Sequence, residues 1–252
     1  MGFTQLYETF KALDNPGFWQ NTYIQFYNAW FYEGRWVRYF EGLLTTLEVT
    51  VMALALGVIL GVVVAVIRTA HDQQRLGNRN PVLGIINLIC KVYVTVIRGT
   101  PMMVQLLIMG LVIFASNRNK TLIGALSLGI NSGAYVAEII RGGLMSLDPG
   151  QMEAGRSLGL GYFDTMRFIV VPQAFKAVLP ALGNEFIILL KDTSLLTVIG
   201  GKELVHAAEG IMNRTWEQMY PLVGISCLYL IMVMILSWLQ GKLERRLRQS
   251  ER

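Results

Sequence analysis

Residues 218–241 hold no charged side chain, 24 positions in a row, and residues 49–67 and 99–117 each give 19 more. A helix of about 20 apolar residues crosses the roughly 30 Å hydrocarbon layer of a bilayer. Inside that layer each backbone N–H and C=O must find a partner within the protein, so such runs are helices and not loops. This repetition constrains the chain more than any other feature. It makes the protein polytopic and α-helical.

Composition agrees. Of 252 residues, 53% are hydrophobic and 15% charged, with a mean hydropathy of +0.45. Soluble domains carry about 25% charged residues. The net charge of +5 is no sign of nucleic acid, because Lys and Arg cluster at the ends of apolar runs. No basic start with a compact apolar core marks a cleavable leader, so the first span is expected to serve as its own insertion signal. Cys90 and Cys227 lie in different apolar runs without metal-ligand spacing and are expected to be buried thiols.

Residues 1–40 hold 14 of the 26 aromatic residues, interspersed with charges. Rings with polar edges favour the headgroup region, which predicts one or two interfacial helices on the outer face. Five spans follow. The first covers 49–67, extended by 43–47, with Gly57 and Gly61 as a close-contact pair. A polar loop from Arg68 through Arg75 and Arg79 ends at Pro81. Residues 82–97, which carry Lys91, are expected to lie along the interface. The remaining spans are 99–117, 121–141, 177–198 and 218–241. A basic tail, 242–252, ends the chain. With the N-terminus outside, the inner segments hold twelve Lys and Arg against seven outside, which places the tail and the loop 146–172 in the cytoplasm.

That loop, SLDPGQMEAGRSLGLGYFDTMRFIVVP, starts like a helix. Asp148 can cap it, Gln151 stands at capping-box spacing and Pro149 falls at the first helical position. Gly159 and Gly161 are expected to stop it near Leu158. A ten-residue helix is about 15 Å long, too short to cross. Glu153-Ala154-Gly155, then Gly159, Ile169 and Pro172, resemble the EAA loop of permease subunits of bacterial ABC importers. That pattern is Glu-Ala-Ala, three residues, Gly, nine residues, Ile, one residue, Leu-Pro. Gly155 replaces the second Ala, and Val171 replaces Leu.

Three further stretches resemble the polar amino-acid group of these permeases, which imports histidine, arginine and glutamine. One is Arg98-Gly99-Thr100-Pro101 followed by Gln105. Another runs from Gly133-Ala134-Tyr135 to Glu138-Ile139-Ile140-Arg141-Gly142-Gly143, and the third from Asn184-Glu185 to Lys191-Asp192-Thr193-Ser194. Thr100 can cap a helix starting at Pro101, and Arg98 is expected near the inner boundary, reaching a phosphate or a carboxylate. On the third span Asn131, Tyr135 and Glu138 share one face by their spacing, with Ser132 beside them. Arg141 can pair with Glu138. Polar side chains inside a membrane face a bundle or an aqueous path and mark candidate transport residues. Lys191 and Asp192 could together satisfy an amino acid's carboxylate and ammonium, or could pair with each other and fix packing between two subunits.

The resemblance implies an all-α type I importer core: five transmembrane helices, residues 41–241, behind the interfacial segment. It implies transport of a polar amino acid across the bacterial inner membrane by alternating access. The helix of the 146–172 loop would dock on a cytoplasmic ABC ATPase, with Asp148, Gln151, Glu153, Ala154, Gly155, Gly159, Ile169 and Pro172 forming the coupling. The chain has no G-x-x-x-x-G-K-S/T phosphate loop, so ATP and Mg belong to that partner and this chain binds no cofactor and catalyses nothing. The other partners implied are a second permease subunit, identical or paralogous, an extracytoplasmic amino-acid-binding protein and membrane lipid, with no nucleic acid. An importer of another small solute, a passive channel and a lipid-modifying membrane enzyme are the alternatives. The channel lacks repeated filter residues. The enzyme lacks a catalytic cluster, since His71 and His206 fall on opposite expected faces.

Overall fold

The computed structural model describes residues 2–74, 80–148 and 150–249, apart from the side chain of Arg248. Pro149, Arg75, Arg79 and the end of the tail, including Arg252, therefore lie outside the described residues. Eleven α-helices follow one another among those described. They are α1 (Phe3–Lys11), α2 (Phe18–Trp30), α3 (Trp36–Asp72), α4 (Pro81–Gly99), α5 (Met102–Leu107) and α6 (Lys120–Met145). Then come α7 (Gly150–Ser157), α8 (Tyr162–Thr165), α9 (Val171–Asp192), α10 (Leu204–Thr215) and α11 (Met219–Gln249). A π-helical turn, Ile108–Ile113, prolongs α5. Another, Met166–Val170, joins α8 to α9, and a 3-10 turn, Thr193–Ile199, prolongs α9.

Among the described residues five helical segments are long and apolar enough to cross a membrane: Trp36–Asp72, Pro81–Gly99, Lys120–Met145, Tyr162–Ile199 and Met219–Leu247. The number agrees with the sequence expectation, but the second member differs. Residues 81–99, expected to lie along the interface, form a full-length apolar helix with Pro81 at its start and the Asn80 side chain capping Val82. Residues 99–117 are not one helix: Gly99, Thr100 and Pro101 interrupt the path, and only Met102–Ile113 continues it. The fourth span starts at Tyr162 rather than 177. Pro172 therefore stands inside a 38-residue helical run, directly after the π-turn that accommodates its missing N–H.

The centre is the α3–α6 pair. A Cβ at Gly57 would stand 2.8 Å from Ser132 Oγ, and one at Gly61 would stand 2.5 Å from Val136 Cγ1. Only glycine lets the two backbones approach so closely, which is the contact that the Gly57–Gly61 spacing predicts. Outward along this pair, Val49, Ala53, Leu106, Ile123, Leu128 and Leu196 form one buried cluster. At the other end Val64, Cys90, Val94, Ala134 and Ala137 seat α4. A third cluster of Tyr39, Leu190, Leu204, Ile211 and Ile225 joins α9, α10 and α11 to the start of α3. Cys90 is buried as expected; Cys227, expected to be buried, is exposed on α11.

Residues 2–40 form two packed helices and the first turn of α3. The Tyr7 and Tyr27 rings stack at 4.4 Å, and Phe3 packs among Tyr23, Tyr27 and Phe31. Trp30 stacks on Tyr39 at 4.1 Å and lies against Gly224 of α11, which fixes the pair to the bundle. Aromatic stacking of this kind adds about 0.5–1.5 kcal/mol per pair beyond burial.

Candidate functional site

The interruption at Gly99–Pro101 organises the first site. Pro101 has no N–H, so Ile97 O loses the bond that would continue α4. In a membrane that carbonyl must find another donor. Gln105, one turn into α5, supplies it: its Nε2 donates to Ile97 O at 2.8 Å and to Thr100 Oγ1 at 2.7 Å. Its Oε1 accepts from Asn131 Nδ2 at 3.0 Å. Asn131 stands about 16 Å along α6 from Lys120, close to the middle of that helix. The break therefore lies at mid-bundle and is held to α6 by an amide pair. Thr100 does not cap α5 as expected; it ends α4, donating to Val96 O at 2.8 Å.

Two turns further along α6, Glu138 collects three guanidinium groups. Arg68 of α3 donates to its Oε1, while Arg98 and Arg141 reach its Oε2 at 3.6 and 3.4 Å. The Arg98 guanidinium also lies over the Tyr135 ring, 5.2 Å from the centroid. Arg98 is thus beside the helix break, level with the last turns of α3 and α6 that carry Arg68 and Arg141. The expected Arg141–Glu138 pair forms, but it is one of three. Asn131, Tyr135 and Glu138 do share a face, and that face looks onto the α4–α5 break.

Ser132 does not belong to that group. It is fully buried and donates to Glu185 Oε1 of α9 at 2.8 Å, under Gly57 of α3. Helical rotation explains the split: Ser132 is 100° from Asn131, so one neighbour opens outward and the other fills the core. Lys191, Asp192, Thr193 and Ser194 stand apart again. Thr193 is buried and donates to Leu190 O, because the α-helix ends at Asp192 and tightens into the 3-10 turn. Lys191 is exposed and, with Ser194, lines a recess beside Ser226 and Tyr229 of α11. Lys191 and Asp192 form no ion pair among the described residues, since consecutive helical positions diverge by 100°. On α9 the open positions Ala177, Asn184, Ile188 and Lys191 recur at helical spacing.

The second site is α7. Gly150 N donates to Asp148 Oδ1 at 2.8 Å, so Asp148 caps as expected. The reciprocal leg from Gln151 is absent: its Oε1 accepts instead from Gln173 of α9 at 3.1 Å, which ties α7 to the long helix. Gly155 is buried against Thr165, where a Cβ would collide with the Thr165 side chain. That contact explains glycine at the position where the resembled motif has alanine. Gly159 adopts φ +81° and ends the helix, as expected. Gly161 does not; it is extended and begins α8. Glu153, Ala154 and Pro172 are exposed, Ile169 is half-buried, and Leu158 and Phe163 are 77% and 84% exposed.

Several residues escaped the sequence reading. Arg68 had the signal of a boundary cation, but its Glu138 contact spans 70 positions. Lys120 donates to Gly110 O, Phe114 O and Ala115 O, closing the end of the π-turn. Glu203, 1% exposed, caps α10 through Val205 N and His206 N and accepts from Tyr229 Oη at 3.1 Å. Burial pushes its carboxyl up to about 7 despite these donors. Glu is not among the residues usual at an N-cap, so composition gave no lead.

Comparison with known proteins adds the following. Residues 80–249 match the family model of the binding-protein-dependent transport system inner membrane component. The chain is 34% identical over 213 residues to a putative glutamine transport system permease protein of Rickettsia bellii, covering 82% of this chain and 91% of that one. It is 35% identical over 212 residues to the glutamine transport system permease protein of Escherichia coli, covering 82% and 92%. Among solved structures, an amino acid ABC transporter with histidines superposes with a TM-score of 0.74 at 40% identity, over 83% of this chain and 94% of that one. A methionine ABC transporter in an inward-facing conformation gives 0.70 at 17% identity, over 85% and 98%, a likeness of fold.

Proposed function

The chain belongs to the binding-protein-dependent transport system inner membrane component family, and on that premise we propose that it carries a polar amino acid, with glutamine the first candidate. It is the membrane-spanning permease of an ATP-binding-cassette importer for an amino acid, and the family works with ATPase and substrate-binding partners.

One observation carries the coupling half. Gly155 on Thr165 and Gln151 on Gln173 lock α7 to the run that continues into α9, while Glu153, Ala154 and Leu158 stay exposed. A short helix that is rigid on one side and bare on the other suits docking on a cytoplasmic ATPase. Its displacement moves α9 directly. ATP and Mg are then used by the partner subunit. The N-terminus lies outside and the tail inside, as the charge bias suggests.

The path half rests on the open polar positions. Asn131, Tyr135 and Glu138 of α6, with Gln105 and Arg98 at the break, and Asn184 and Lys191 of α9, are costly against lipid and suit a wet route shared with a second permease subunit. Thr100, Thr193 and Ser194 support the route's backbone or rim. Ser132, Glu185 and Asp192 serve packing between α6 and α9 more than contact with solute. Broken helices at the bilayer midplane are a recurrent place for solute binding in transporters.

Proteoliposomes containing this chain, its ATPase, its companion permease and an amino-acid-binding protein provide the test. ATP-dependent accumulation of labelled glutamine is the expected result. Uptake that proceeds without ATP would make the protein a channel, and accumulation of no amino acid would overturn the solute assignment.

A further inference from the structure

The cluster around Glu138 carries three guanidinium groups and one carboxylate. Arg68, Arg98 and Arg141 each reach Glu138, and no other acidic side chain joins them among the described residues. Their positive excess gathers where the last turns of α3, α4 and α6 meet, and partly buried charge without a counter-ion is expensive. The three are not equally committed. Arg68 is 15% exposed and holds Oε1; Arg98, 42% exposed, makes the longest contact, 3.6 Å, on the Tyr135 side. Arg141 Nε is buried and has no partner. A buried unused donor thus lies close to a loosely held guanidinium and an aromatic ring that is 37% exposed.

We infer that Arg98 and Arg141 form an oxyanion-binding site at which Glu138 is the resident competitor. An incoming carboxylate or phosphate oxygen takes Arg98 from Glu138, while Arg68 keeps the displaced side chain charged and in place. Guanidinium suits this exchange because its planar fork offers several donors to either anion. Arg98 is the last side chain before Gly99, so occupancy is felt at the point where α4 ends and α5 begins. The oxyanion has two sources: the α-carboxylate of a solute in transit or the phosphate of an inner-leaflet lipid. The solute source rests on the reading of the α6 face as the route.

The test uses the assembled permease–ATPase complex in nanodiscs, without binding protein. Equilibrium dialysis against an equimolar mixture of L-amino acids, and separately against their methyl esters, measures retention on the wild type. Retention of the free acids and loss of at least about tenfold with the esters, the factor of a lost charged hydrogen bond, is expected. Equal retention of esters overturns the site. Retention of neither, together with Arg98-dependent retention of anionic phosphatidylglycerol in mixed-lipid discs, assigns the oxyanion to lipid and keeps the site; retention of neither without that lipid effect overturns it.

Glu138→Gln gives a sign that a structural role would not. Removing the competitor should tighten retention of the oxyanion found on the wild type, while Arg98→Gln weakens it. If Glu138→Gln weakens retention as Arg98→Gln does, the exchange is wrong. Intact ATP-driven uptake with unchanged retention in all variants would overturn this inference and leave the transport reading standing.

Discussion

Helices α6 and α11 both span, and they are built on opposite plans. In the most apolar stretch of α6, 61% of residues are buried by the rest of the chain, against 6% for α11. Yet α6 carries Asn131, Tyr135 and Glu138, while residues 218–241 of α11 carry no charge at all. A soluble protein would put the apolar helix inside. Here lipid is as apolar as leucine, so hydrophobicity does not draw a helix to the centre, and close packing by small residues does. Gly124, Gly129, Gly133 and Gly143 of α6 all receive side chains of neighbouring helices. The polar helix is central because it is thin, and the apolar one is peripheral because nothing else in this chain must cover it.

The sharpest way to break this contrast is to thicken the centre. Gly61→Leu drives a side chain into Val136, and overpacking of this kind costs about 1–3 kcal/mol or more. Gly241→Leu of α11, which meets nothing within 4 Å, should leave the melting temperature of the complex unchanged. Equal effects would abolish the distinction. Next in size, Ser132→Ala leaves the buried Glu185 carboxyl without its hydroxyl donor, a loss of about 1–3 kcal/mol. Ser226→Ala on exposed α11 should stay within about 0.5 kcal/mol in the same melting assay.

Helix α7, proposed above to couple, extends the contrast to function. Glu153→Ala and Leu158→Ser touch exposed positions and should leave the melting temperature alone, yet cut ATP-dependent uptake several-fold. Normal transport in both would remove α7 from the coupling.

The smallest effect concerns the polar tie between α11 and the start of α10. Glu203 accepts from Tyr229, and its carboxyl stands at about 7 instead of the ordinary 4.5. The folded state therefore binds more protons than the unfolded chain between these values. Its contribution is greatest below about 4.5 and falls as pH rises to about 7, then levels off. Melting curves of wild type against Glu203→Gln should differ in slope across that window and run parallel above it. Parallel curves throughout would show that Glu203 keeps an ordinary carboxyl.

Legibility followed the range of the interaction. The α7 start at Asp148, its stop at Gly159 and the Gly57–Gly61 contact are readable because each depends on a few consecutive residues. The shared face of Asn131, Tyr135 and Glu138 is readable for the same reason. What faces it is not. For residues 82–97, Lys91 and moderate hydropathy suggest an interface; the helix Pro81–Gly99 is long and apolar enough to span, and its Cys90 and Val94 are buried against α3 and α6. The start of the fourth span was missed because Pro172 resembles a boundary, and the π-turn before it is invisible in local spacing.

The sequence by itself determined a five-span helical protein with a short helix in the loop after the third span, since hydropathy, glycine spacing and capping are properties of neighbouring residues. Only the tertiary structure decided that Glu138 serves three arginines, that Gln105 takes over the donor Pro101 lacks, and that Ser132 and Asn131 work on opposite sides of one helix. Spacing fixes the direction in which a side chain leaves its helix. The identity of the group that meets it depends on how helices far apart in the chain are packed.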